Sequence, residues 1–189
     1  MNITPEEAQA ALNDIQQAST KARSFLHISA YYALLWGAVW TSGFLATQLR
    51  PQLINWIWIV MIIIGIVGSA IFGSTQGTRM RAAPGSREAF IGSRLAMFYG
   101  MLYGFAILWL ILFPLSYLQI GMFWITVTMF GYIISGIWFQ QSLFIAFGVG
   151  ITLMSVLGYY LLPHYFWLWA AVFAGLPLIG MGLYFLRHK

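Results

Sequence analysis

Residues 74–94 read STQGTRMRAAPGSREAFIGSR, a polar interruption in a chain that is otherwise almost continuously apolar. Arg79, Arg81, Arg87 and Arg94 stand there against one acid, Glu88, with Pro84-Gly85 at the middle. Beyond Arg94 the next charged side chain is Arg187, which leaves 92 uncharged residues (95–186). At about 20 apolar residues per crossing, that run has room for four membrane spans. The uncharged stretches 24–49 and 51–78 upstream hold one more each.

Composition points the same way. The chain is 61% hydrophobic and 7% charged, whereas a soluble domain carries roughly 25% charged residues. These residues cannot build a water-facing surface. The reading is an all-α, six-span transmembrane helical bundle, with spans near 27–47, 54–73, 95–113, 121–139, 142–162 and 165–186. Residues 1–26 form a cytoplasmic amphipathic helix and 27–189 the membrane domain, with the arginine-rich loop 74–94 inside it.

Orientation follows from the Lys and Arg near the span ends. With six spans, one side carries Lys21, Arg23, Arg79, Arg81, Arg87, Arg94, Arg187 and Lys189, and the other carries Arg50 alone. Both termini and the loop are therefore expected in the cytoplasm, and the protein in the inner (plasma) membrane. The net charge of +5 then reflects orientation and attraction to the lipid bilayer, not a nucleic-acid partner. No apolar run follows a basic start, so a cleavable leader is not expected and the first span serves as the targeting signal.

Thr4-Pro5-Glu6-Glu7 reads as a helix start, with Thr4 as cap, Pro5 at the first helical position and Glu7 completing a capping box. Ala8, Leu12, Ile15, Ala22 and Leu26 then recur at helical spacing as one narrow stripe. Its alanines suit close packing against a helix better than insertion into lipid. The stripe docks either on the protein's own inner face or on a separate membrane or cytoplasmic protein partner.

Three hairpins share an order of aromatic-Gly, a proline at the turn, and aromatics opening the return helix. They read Trp36-Gly37, Pro51, Trp56; Tyr103-Gly104, Pro114, Trp124; and Phe147-Gly148, Pro163, Trp167. Tryptophans at one interface and glycines where helices approach closely would produce this order. Chance would produce it too, in a chain with 19 Gly and 18% aromatic residues.

Most catalytic chemistry is excluded. No Asp, Glu, Lys or Arg falls in a predicted span, and such residues mark proton relays and ion coupling. No cysteine is present, and no His/Asp/Glu cluster has metal-ligand spacing. The histidines sit at span ends, so haem between helices lacks its ligands. Ser135-Gly136 and His164 fail as an intramembrane protease, because residue 133 is Ile where that chemistry has a glycine, and His164 is at the membrane edge. The expectation is no enzyme and no cofactor.

Two sets of residues remain as candidate sites. If the third helix starts after Gly85, Arg87 and Arg94 stack on one face two turns apart. There they could hold a lipid phosphate or an acidic segment of a partner, or only fix orientation. Tyr99, Tyr103, Thr126 and Thr128 are neutral hydrogen-bonding groups at depth. They either bond helix to helix or line a cavity for an uncharged or amphiphilic ligand.

The opening, from Thr4-Pro5-Glu6-Glu7-Ala8 through Leu12 and Ile15 to Leu35-Trp36-Gly37, resembles small bacterial polytopic membrane proteins with a short cytoplasmic N-terminal helix. That resemblance implies no particular activity. In length and span count the chain is also similar to the substrate-binding subunits of energy-coupling-factor vitamin transporters. Ala33, Gly37 and Thr41 partly match the small residues by which those subunits meet a membrane partner. Two functions are therefore expected: a non-enzymatic membrane subunit acting through partner or lipid binding, or a transporter-type subunit holding a small molecule between its helices.

Overall fold

A computed structural model describes residues 30–79 and 87–187, together with Thr4, Gln9 and Leu12, and describes side chains over 30–74 and 94–187. Among these residues the chain is all helical, without a strand. Gln9 and Leu12 are helical and exposed; the rest of the expected N-terminal helix, and residues 80–86, lie outside the described residues.

Six helices follow one another. They are α1 (residues 30–49), α2 (Ile54–Arg79), α3 (Arg87–Leu112), α4 (Tyr117–Trp138), α5 (Ser142–Leu161) and a composite α6. The last is α-helical over Phe166–Ala170, π-helical over Ala171–Gly175 and α-helical again over Leu176–Arg187. Five of them, α2 to α6, are long and apolar enough to cross a membrane, with mean hydropathy from 1.7 to 2.4. The described part of α1 is not in that set, because Tyr31, Tyr32, Trp36, Trp40, Thr41, Ser42, Thr47 and Gln48 lower its hydropathy. It is nonetheless a core helix: Ala30, Ala33, Val39, Trp40, Phe44 and Thr47 are all buried. A helix walled by protein has less need of an apolar circumference.

Local chemistry sets the boundaries. The start of α4 lies at Tyr117, ahead of the expected position, because Ser116 caps it. The Ser116 hydroxyl accepts from Gln119 N–H while the Gln119 side chain accepts from Ser116 N–H at 2.8 Å, a reciprocal capping box. At its other end Gln140 is left-handed, with φ 54°. Gln140 N–H bonds to the Ile137 carbonyl and Gln141 N–H to the Gly136 carbonyl at 2.8 Å, which satisfies the last carbonyls and reverses the chain into α5.

Hairpins one and three turn in the same way. Arg50 (φ −139°, ψ 65°) and Leu162 (φ −133°, ψ 53°) each precede a single 3-10 turn opened by proline, Pro51–Leu53 and Pro163–Tyr165. Their bonds match as well: Leu53 N–H to Arg50 O and Tyr165 N–H to Leu162 O are both 3.0 Å. The middle hairpin differs, since Pro114 leads into the Ser116 cap instead of opening a 3-10 turn. The threefold order in the sequence is thus a twofold match at the turns.

Antiparallel packing of α1 on α6 forms a central seam. A Cβ on Gly37 would lie 2.8 Å from Ile179 N, one on Gly175 2.7 Å from Thr41 N, and one on Gly182 2.9 Å from Ala30 O. Backbones meet there because no side chain intervenes. At the proline-turn end Gln48 closes the seam: its amide donates to the His164 carbonyl (3.1 Å) and accepts from Leu168 N–H (3.2 Å). Leu168 N–H belongs to the first turn of α6, where backbone donors lack intrahelical partners, so α1 caps a helix it does not precede. Phe44 sits among Trp40, Trp58 and Trp167, with ring centroids 5.0–5.9 Å away.

The remaining helices build on this seam. On one side, α2 packs against α1 through Trp36, which lies over Gly65 and donates to Ser69 Oγ at 3.1 Å. On the other, α5 joins α6 and pairs with α4, where a Cβ on Gly148 would be 2.9 Å from Met129 O. Outermost is α3, packed on α4.

Candidate functional site

Tyrosines of α3 and hydroxyls of α4 meet along one interface. Tyr99 and Tyr103, one helical turn apart, face Trp124, Thr128, Gly131 and Ser135, which recur at three- and four-residue spacing on α4. The Tyr99 hydroxyl and Ser135 Oγ are 3.0 Å apart in a hydrogen bond. The Tyr99 ring lies flat on α4: a Cβ on Gly131 would be 2.7 Å from Tyr99 Cε1. Tyr103 has its ring 6.0 Å from both Tyr99 and Trp124, and its hydroxyl faces Thr128. Tyr132, close to both tyrosines, turns its own ring toward Phe144 at 5.6 Å.

Three of the four expected residues thus come together, and Thr126 does not. Its hydroxyl bonds back to the Met122 (3.0 Å) and Phe123 (2.9 Å) carbonyls of its own helix. Two residues further on, Thr128 points to a different side of the helix. Ser135 and Tyr132 are the members that the sequence reading did not assign to the group. The spacing Thr128, Gly131 or Tyr132, Ser135 is the signal that could have placed them. The group offers neutral donors and acceptors without a charge or a general base, and the Tyr99 ring fills the space against Gly131.

Ser135 and His164 occupy opposite ends of the bundle, Ser135 near the end of α4 and His164 in the α5–α6 turn. No nucleophile–base pair forms between them. Among the described residues no group of three His, Cys, Asp or Glu side chains comes together. Ala33, Gly37 and Thr41 belong to α1, and at Gly37 and Thr41 they meet Ile179 and Gly175 of α6. That stripe is used within the chain.

The basic end is built from helix length. Both α2 and α3 have 26 residues, about 39 Å at 1.5 Å per residue, against a hydrocarbon core of about 30 Å. The apolar spans within them are Pro51–Ser74 and Arg94–Leu112. Arg79 and Arg87 lie toward the same end of the two helices. Residues 87–94 all belong to α3, which places Arg87 and Arg94 two turns apart on one helix. Arg94 is exposed; Arg81 and residues 84–86 lie outside the described residues.

At the other end, Leu162, Tyr165, Leu168, Trp169, Val172 and Phe173 border an apolar groove of about 240 Å³. It is separate from the tyrosine group, and the Trp169 indole N–H on its border is already bonded to the Met154 carbonyl. No protein-family model matches the chain, and no curated protein or solved structure matches it significantly.

Proposed function

We propose that this chain is a non-enzymatic, six-span subunit of the inner (plasma) membrane, with both termini cytoplasmic, that works by holding a partner or an anionic lipid at its basic end. The observation that carries the reading is the continuous helix Arg87–Leu112. It presents Arg87 and Arg94 on one face at the edge of an apolar span, where two guanidinium groups suit a phosphate or a carboxylate. The amphipathic helix of residues 1–26 is the second contact in this reading. Binding of a small molecule between the helices has less support, because Tyr99 packs directly on Gly131 and the α1 stripe is covered by α6.

Replacing Arg87 and Arg94 with glutamine tests the proposal. Lys21, Arg23, Arg79, Arg81, Arg187 and Lys189 still outnumber Arg50, so insertion and orientation are expected to hold. Co-purified protein and anionic lipid retained in native mass spectrometry are expected to fall several-fold. A double variant that keeps its topology and every association would reduce the two arginines to an orientation signal.

A further inference from the structure

Midway along α6 the winding changes. Leu176 N–H bonds to the Ala171 carbonyl, five residues back instead of four. Pro177 accounts for the position. In a regular α-helix its ring would press on the Phe173 carbonyl, and it has no N–H to offer that carbonyl or the Val172 carbonyl before it. Widening the turn relieves the contact and leaves the π-turn with a carbonyl short of its donor.

Helix α5 packs directly on this turn. Its inward stripe is Phe144, Gly148, Ile151, Ser155 and Gly158. The antiparallel register is fixed at two places: Gly158 lies against the Trp169 indole, and the Phe144 and Phe185 rings stack at 5.6 Å. The Trp169 indole N–H also donates to the Met154 carbonyl at 2.7 Å. Ser155, one turn in from Gly158, therefore comes level with the π-turn. It is 1% exposed, and its hydroxyl has no hydrogen-bond partner among the described residues. A helical serine or threonine commonly bonds the carbonyl four residues back, as Thr152 does to Gly148 at 2.8 Å. Ser155 does not make that bond to Ile151.

We infer that Ser155 and the π-turn of α6 together bind one buried water, which accepts from the Ser155 hydroxyl and donates to the carbonyl that Pro177 leaves open. In a bilayer, neighbouring hydroxyls and ordered waters re-satisfy backbone groups freed by proline. An unpaired buried hydroxyl, and at its level on the facing helix a carbonyl to which Pro177 offers no N–H, are the two halves of such a site. It is also a joint. The Phe166–Ala170 part of α6 is held by Gln48, Gly121 and Gly158, and the Leu176–Arg187 part by Ala30, Leu34 and Phe144.

A double-mutant cycle tests this on the full chain in detergent. Ser155→Ala is expected to lower the melting midpoint by about 2–4 °C, because the carbonyl loses its bridge. Pro177→Ala restores the N–H and lets α6 wind as a regular helix, so Ser155→Ala in that background is expected to leave the midpoint unchanged. Equal shifts in both backgrounds, or a rise with Ser155→Ala alone, overturn the site. A nanodisc structure with ordered solvent decides independently, even where the Pro177 variant does not fold. A water within hydrogen-bond distance of Ser155 Oγ and an α6 carbonyl is expected. A dry interface with Ser155 turned to the Ile151 carbonyl refutes it.

Discussion

Gly37 of α1 and Gly104 of α3 hold the same place in their hairpins. Each follows an aromatic residue and precedes the tryptophan of the return helix, by 19 and 20 residues. Their surroundings are opposite. Gly37 abuts Ile179 of α6, whereas nothing lies within 4 Å of a Cβ built on Gly104. A glycine permits close approach, but a second surface has to be there for the approach to happen. Helix α1 has α2 on one side and α6 on the other, while α3 packs on α4 and turns Met97, Met101 and Phe105 outward. In a bilayer an apolar outward face needs no protein cover. The seam and the flank are therefore held by different forces: backbone contact in one, a few side chains and lipid in the other.

Leucine at the two glycines gives the largest contrast. Gly37→Leu is expected to cost about 3 kcal/mol through overpacking against Ile179, read as a lowered melting midpoint or loss of monodisperse protein. Gly104→Leu is expected to stay within about 0.5 kcal/mol. Equal effects would erase the distinction between seam and flank. Next in size is Gln48→Ala, which leaves Leu168 N–H and the His164 carbonyl without their α1 partner; about 1 kcal/mol is expected. Since the chain has no native cysteine, a cysteine pair at Gln48 and His164 can report the same contact by crosslinking, and failure to crosslink would refute the clamp. Smallest is Tyr99→Phe, which removes the bond to Ser135 on the flank; about 0.6 kcal/mol is expected for a hydrogen bond between membrane helices. A larger loss would show that the α3–α4 interface does more than join two helices.

The contrast also marks how far the sequence could be read. Five apolar helices and the turns at Pro51, Pro114, Gln140 and Pro163 were legible, because charge and hydropathy act locally and the bilayer fixes helix length. Which glycine meets a partner was not, since it depends on residues more than a hundred positions away, as with Gly37 and Ile179. Hydropathy understated α1 for the same reason. Of the residues that mark it as polar, Trp36 packs on α2, while Thr41 and Gln48 meet α6. For Thr126 and Thr128, neighbours in sequence, the helical period sends one to its own backbone and the other to Tyr103. The π-turn had a warning in Pro177, but a proline inside a span announces a break without saying how the helix absorbs it.

The Gln48 clamp bears on how the protein is made. Helix α1 leaves the ribosome first among α1 to α6, and the surface that receives Gly37, Thr41 and Gln48 belongs to α6, the last of them to emerge. Until then α1 can pair with α2 through Trp36 and Ser69, but its other face must wait with the Gln48 amide unmatched. Closure of the seam thus waits on synthesis of α6. A product stopped before Leu168 would keep its hairpins and lose its closure, presenting the membrane's quality-control proteases with an exposed, partly polar helix.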